Sequence, residues 1–156
     1  MATERALEAT AIERELRIDA EPEVVYEFLT EPEKMLRWQA RAAQLNPRPG
    51  GIFRCDIGPE HVALGEYLEA VPARRVVFTW GREGDEKSVP PGSSTVEVDL
   101  IPDGVGTLVR FIHRDLPQAS LDGHAAGWDH YLARLRVAAS GGDPGADTFP
   151  GGSSTV

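Results

Sequence analysis

Leu121, Ala125, Trp128, Leu132 and Leu135 recur at helical spacing on one face near the C-terminal end of the chain, with His124 and Tyr131 at the flank. This long apolar stripe follows an almost unbroken run of strand-like segments. A helix with a single apolar stripe must bury it, and a sheet is the partner this order of elements offers. The pattern therefore points to a curved sheet closing around a C-terminal helix. The space between the two is either a filled core or a ligand cavity, and function turns on which.

The strands are read from alternation. Ile12 to Ile18 places Ile12, Arg14, Leu16 and Ile18 on one side and charged residues between them. Asp19-Ala20-Glu21-Pro22 opens a helix, with Asp19 or Glu21 able to satisfy free amides and proline tolerated in the first turn. Thr30-Glu31-Pro32-Glu33 repeats that signal, with Thr30 as the expected N-cap and Glu33 as its capping-box partner. The second helix carries Met35, Leu36 and Trp38.

Ala43 to Asn46 is a weak strand, ended by the turn at Pro47 to Gly51. Ile52 to Ile57 follows, then His61 to Val71 as a bent strand with Gly65 at its bend, then Val76 to Trp80. Gly81 to Gly92 is charged and rich in Pro and Gly, and is expected to be mobile. Ser94 to Ile101 and Gly106 to Arg114 pair about Pro102-Asp103-Gly104, and the closing helix is expected from about Gln118 to Ala139. Short connections between successive strands imply an antiparallel sheet of about six or seven strands, hence an α+β fold rather than a doubly wound one. Residues 1–11 read as a polar lead-in, 12–140 as one domain, and 141–156 as a disordered Gly/Pro/Ser tail.

Composition removes several function classes. A net charge of -9 on 156 residues argues against nucleic acid or an anionic membrane as partner, although Arg37, Arg41, Arg48 and Arg54 lie close in sequence. Cys55 is the only cysteine, which excludes an intrachain disulfide and a multi-thiolate metal site. Met1 to Thr10 is too polar for a signal segment, and no apolar run reaches the ~20 residues that span a bilayer. A cytoplasmic location is the expectation.

The order of elements resembles the START-like, helix-grip superfamily (SRPBCC). Within it the chain looks like the bacterial single-domain type of activator of heat-shock-protein-90 ATPase homologues. The resemblance is carried by Ala20-Glu21-Pro22-Glu23-Val24-Val25-Tyr26, Leu29-Thr30-Glu31-Pro32-Glu33, Arg37-Trp38 and Pro49-Gly50-Gly51-Ile52-Phe53. It continues through Gly65-Glu66-Tyr67-Leu68-Glu69, Arg75-Val76-Val77-Phe78-Thr79-Trp80 and Gly106-Thr107-Leu108-Val109 with His113, and ends at Gly127-Trp128 with Leu132 and Leu135. Together these cover about Ile12 to Ala139. The resemblance implies a helix-grip fold with a groove beneath the long helix. That fold hosts lipid binders, polyketide cyclases, hydroxylase subunits and co-chaperones.

Aromatic residues from separated segments converge on the space under the helix. Trp38, Phe53, Tyr67, Phe78, Trp80, Phe111, His113, Trp128 and Tyr131 are the candidate ligand-lining residues. Their other reading is a well-filled core. His113 shares a face with Val109 and Phe111; it is either a candidate acid/base or a rim histidine bonded to backbone or water. Glu69 either faces inward toward His113 or Arg110, or is solvated. His124 and His130 are six residues apart, on different helix faces, so no metal site is expected. Cys55 reads as a structural strand residue, and no nucleophile elbow, phosphate loop or dinucleotide fingerprint is present.

The first functional reading is therefore binding of a small apolar or aromatic molecule between helix and sheet, with no cofactor. One alternative is a cyclase- or hydrolase-like enzyme using His113. The other, implied by the resemblance alone, is a stress-related module with a chaperone partner. Monomer and homodimer both remain open.

Overall fold

The computed structural model of the protein describes residues 11–58 and 61–147. Strand β1 (Ile12–Ile18) leads into helices α1 (Pro22–Thr30) and α2 (Pro32–Met35). Strands β2 (Ala42–Leu45), β3 (Ile52–Gly58), β4 (His61–Val71), β5 (Arg75–Trp80), β6 (Ser94–Asp103) and β7 (Gly106–Arg114) follow. A 3-10 turn at Gln118–Ser120 then runs into the long helix α3 (Leu121–Ala139). The seven strands form one sheet in the order β1-β7-β6-β5-β4-β3-β2. Every pairing is antiparallel. This is the expected α+β helix-grip arrangement.

Alternation sets which face is buried. On β1, Ile12, Leu16 and Ile18 are buried while Glu13, Glu15 and Arg17 are exposed. On β6 and β7, Ser94, Val96, Val98 and Leu100 share the buried face with Val109, Phe111 and His113. Helix α3 contributes His124, Trp128, Leu132 and Leu135 to that core. Phe53 stacks on Phe78 with centroids 4.0 Å apart, and Tyr67 meets Phe53 edge-on at 5.7 Å. Such ring pairs stabilise the core beyond the area they bury.

Gly65 is needed for a close approach, because a Cβ there would land on the Thr79 carbonyl of β5. The irregularity of β4 lies further on, between Tyr67 and Glu69, where a β-bulge makes Leu68 the extra residue opposite Phe78 and Val77. No helix among the described residues is long and apolar enough to cross a membrane.

Five local expectations are corrected. Neither Asp19 nor Glu21 caps α1 with its side chain; Glu21 occupies the N-cap position, and Pro22, which has no N–H, follows it. Thr30 is not the N-cap of α2. It ends α1, its hydroxyl donating to the Tyr26 carbonyl at 2.8 Å, and Glu31 serves as both C-cap of one helix and N-cap of the next. Helix α2 is only one turn long, so Trp38 lies beyond it rather than on it.

The segment Gly81 to Gly92 is stapled rather than loose. Arg82 N–H donates to Val89 O at 2.7 Å and Glu83 N–H to Val62 O at 2.8 Å. Finally, the first residues of the expected tail carry anchors. Tyr131 Oη donates to Asp147 at 2.5 Å, and Arg134 donates to the carbonyls of Pro144 and Gly145 at 3.3 and 3.0 Å. The remainder of that tail, like residues 1–10 of the lead-in, lies outside the described residues.

Candidate functional site

Trp128 points inward from α3 and donates its indole N–H to His113 Nδ1 at 2.9 Å. Indole nitrogen only donates, so Nδ1 accepts and the neutral ring carries its proton on Nε2. His113 Nε2 then donates to Ser94 Oγ at 2.8 Å, and the Ser94 hydroxyl donates to the Trp80 carbonyl at 2.8 Å. The result is one directed chain, Trp128 to His113 to Ser94 to the backbone of β5. It occupies both nitrogens of a fully buried imidazole. Burial pushes the His113 pKa well below the usual histidine value, and neighbouring His124 adds to the shift.

His124 lies one turn before Trp128, its ring centroid 5.5 Å from that of His113. Its Nδ1 is 2.9 Å from the Ser120 carbonyl. A carbonyl only accepts, so Nδ1 holds the proton and Nε2 keeps its lone pair. Burial lowers this pKa too, opposed by the Ser120 hydrogen bond. Two neighbouring histidines thus hold opposite tautomers, each set by a fixed partner.

Beside His124 opens a cavity of about 270 Å³. The start of β4 supplies His61 and Ala63 as one wall and the end of β5 supplies Trp80. The connection after β5 adds Arg82, Asp85, Ser88 and Val89, and the entry to α3 adds Ala119, Ser120, Gly123 and His124. The Asp85 carboxylate accepts from the amides of Lys87, Ser88 and Val89 at 2.8, 3.0 and 2.9 Å. Those bonds hold its pKa down to about 2. Arg54 of β3 donates twice to Glu83, at 3.0 and 3.1 Å, tying the same connection to the sheet. The mouth is therefore preformed.

The space under the middle of α3 is different. There the residual void is about 10 Å³, lined by Trp38, Phe78, Phe111, Trp128 and Leu135 among others. Trp128 fills it, its ring 4.5 Å from Phe111 and 5.1 Å from Trp80. Of the nine candidate lining residues, Trp80 alone borders the mouth cavity. Trp38 donates its indole N–H to Phe28 O at 2.9 Å, tying the turn after α2 to α1, and Tyr67 donates its hydroxyl to Leu29 O at 3.1 Å, tying β4 to α1. Phe53 is enclosed in the ring stack, and Tyr131 turns to Asp147 rather than toward Trp80 and Phe111.

Glu69 faces outward, 3.3 Å from Arg75, and Arg110 pairs with Glu15 at 3.0 Å. Cys55 is buried, and burial raises its thiol pKa. Arg41 and Arg54 of the sequence-local basic group pair with Asp56 and Glu83. Ser94 was legible, since it precedes Val96 by two residues on the same strand face. Apart from Trp80 and His124 the mouth residues were not, because segments remote in the chain assemble them: the start of β4, the end of β5 with the connection after it, and the entry to α3.

Known proteins fit this architecture. The solution structure of an AHSA1-like protein from Rhizobium etli is 44% identical, covering 89% of this chain and 87% of that one, with a TM-score of 0.70. CalU16 from Micromonospora echinospora is 28% identical over 84% of this chain and 76% of its own, with a TM-score of 0.69. The Aha1 dimer from Colwellia psychrerythraea shares the fold at a TM-score of 0.74 and 19% identity, covering 85% of this chain and 97% of that one. No curated protein matches the sequence. The family model described as activator of Hsp90 ATPase homolog 1-like protein matches residues 19–140. That match spans most of the chain, and the protein belongs to this family.

Proposed function

We propose that this protein binds a small, partly polar aromatic molecule in the mouth cavity between the start of α3 and the β5–β6 connection. The observation that carries this reading is the pairing of a preformed space of about 270 Å³ with one apolar wall, Trp80, and one unprotonated imidazole nitrogen, His124 Nε2. Ligand sites are typically concave, apolar in the main, and supplied with a few fixed polar groups, with volumes from about 300 Å³ upward. A cavity just below that range suits one or two fused rings. The filled core under the middle of α3 favours the mouth over the deeper groove.

Binding is favoured over catalysis by His113, because both ring nitrogens of that residue are committed to Trp128 and Ser94. A chaperone partner is suggested by the family description alone.

Gly123 supplies the test. A Cβ at this position meets nothing within 4 Å, and the residue lines the mouth. Gly123→Leu therefore plugs the cavity while improving helix propensity, so a loss of binding is not a loss of fold. Titrating a library of small aromatic fragments against labelled protein should give amide shift changes around Trp80 and Gly123, and Gly123→Leu should abolish them. No hits, or hits that persist in the variant, would overturn this site.

A further inference from the structure

We infer that the ligand is an uncharged aromatic hydroxyl compound whose O–H donates to His124 Nε2 while its ring lies against Trp80. This deepens the mouth-cavity reading and rests on it.

The polar inventory of the cavity is unequal. His124 Nδ1 is held by the Ser120 carbonyl, which leaves Nε2 as an acceptor that cannot donate while the ring is neutral. Among the described residues no donor reaches Nε2, and the atom is not sealed from the cavity. The Asp85 carboxylate is already engaged by three backbone amides. His113 stands behind the wall with both nitrogens committed. Beside Trp80 the cavity therefore offers a guest the Nε2 lone pair of His124, with Ser88 and His61 elsewhere on its lining.

A hydroxyl on a flat ring satisfies both that lone pair and Trp80. An ether or ketone brings no hydrogen to Nε2, and a carboxylate sets negative charge against a lone pair. The groups that bear on His124 are His113 from β7, His61 from β4, and Arg82 and Asp85 from the β5–β6 connection.

The test uses the full chain at neutral pH with 2-naphthol, 2-methoxynaphthalene and 2-naphthoate, following heat by calorimetry and location by amide shifts. Wild type is expected to bind 2-naphthol at least tenfold more tightly than either analogue, with shifts at Trp80 and Gly123. His124→Phe should bind naphthol and its methyl ether alike. His124→Gln, which retains an acceptor oxygen, should recover part of the preference. Equal binding of all three compounds at the mouth, or tightest binding of naphthoate, would overturn the hydroxyl assignment and leave the cavity reading standing. Absence of shifts at the mouth with every compound would overturn the cavity reading itself.

Discussion

Trp128 and His113 were both candidates for touching a ligand, and both are instead partners of each other. Their types and strand or helix faces are readable in the sequence; the hydrogen bond that fixes the His113 tautomer is not, because it joins α3 to β7 through space. The same holds for His124, whose neutral state follows from burial and whose tautomer is set by Ser120. A pH dependence of stability follows. Both histidines have folded-state pKa values below the ordinary one, so below about pH 6.5 the unfolded chain takes up protons that the folded chain refuses. Stability then falls on acidification, by up to about 1.4 kcal/mol per pH unit for each histidine. Asp85 and Glu97, with lowered carboxylate pKa values, lose their contribution only in more acid solution. Urea unfolding between pH 7.5 and pH 5 should show this decline, and a flat profile would contradict the neutral pair.

At the scale of elements, alternation located β1 and β3, and residue type, length and turn signals located the other strands. Alternation works because a half-buried sheet imposes a period of two on side-chain polarity. Capping signals were less reliable. Thr30 and Glu33 have capping-box spacing, yet the short α1–α2 junction turns Thr30 back onto its own helix. Composition also misled at Gly81 to Gly92, where the Asp85 carboxylate stiffens a segment that looks loose by residue type. One turn carries strain that the sequence conceals. Ala73 has φ 63° in the β4–β5 connection, with Arg74 N–H bonded to Val71 O at 3.0 Å. Proline followed by a left-handed residue is the pattern of a type II turn, where glycine is favoured. A non-glycine residue there costs about 1–2 kcal/mol, partly offset by the smaller chain entropy it loses on folding. Ala73→Gly should therefore raise the thermal midpoint, and a lowered midpoint would show that the alanine methyl packs.

For the whole molecule, the decisive property is that the core under the middle of α3 is filled while the mouth cavity opens beside its N-terminal end. Leu135 is 1% exposed and borders the residual void, so Leu135→Ala should cost about 2–5 kcal/mol. The enlarged space should be dry and apolar, able to admit benzene or xenon where the wild-type core does not. Chemical denaturation and xenon-dependent methyl shifts would check both halves, and a small loss without xenon shifts would mean that the core collapses around the deletion. The sequence by itself determined the element order, the antiparallel sheet and the inward faces, because these rest on local periodicity and short connections, and the resemblance of its motifs pointed to the family. Only the tertiary structure decided that the aromatic set apart from Trp80 is enclosed away from the mouth, that two histidines hold opposite tautomers, and that the opening lies beside His124. Those outcomes depend on distances between segments remote in the chain, and side-chain volume summed across a fold has no local signature.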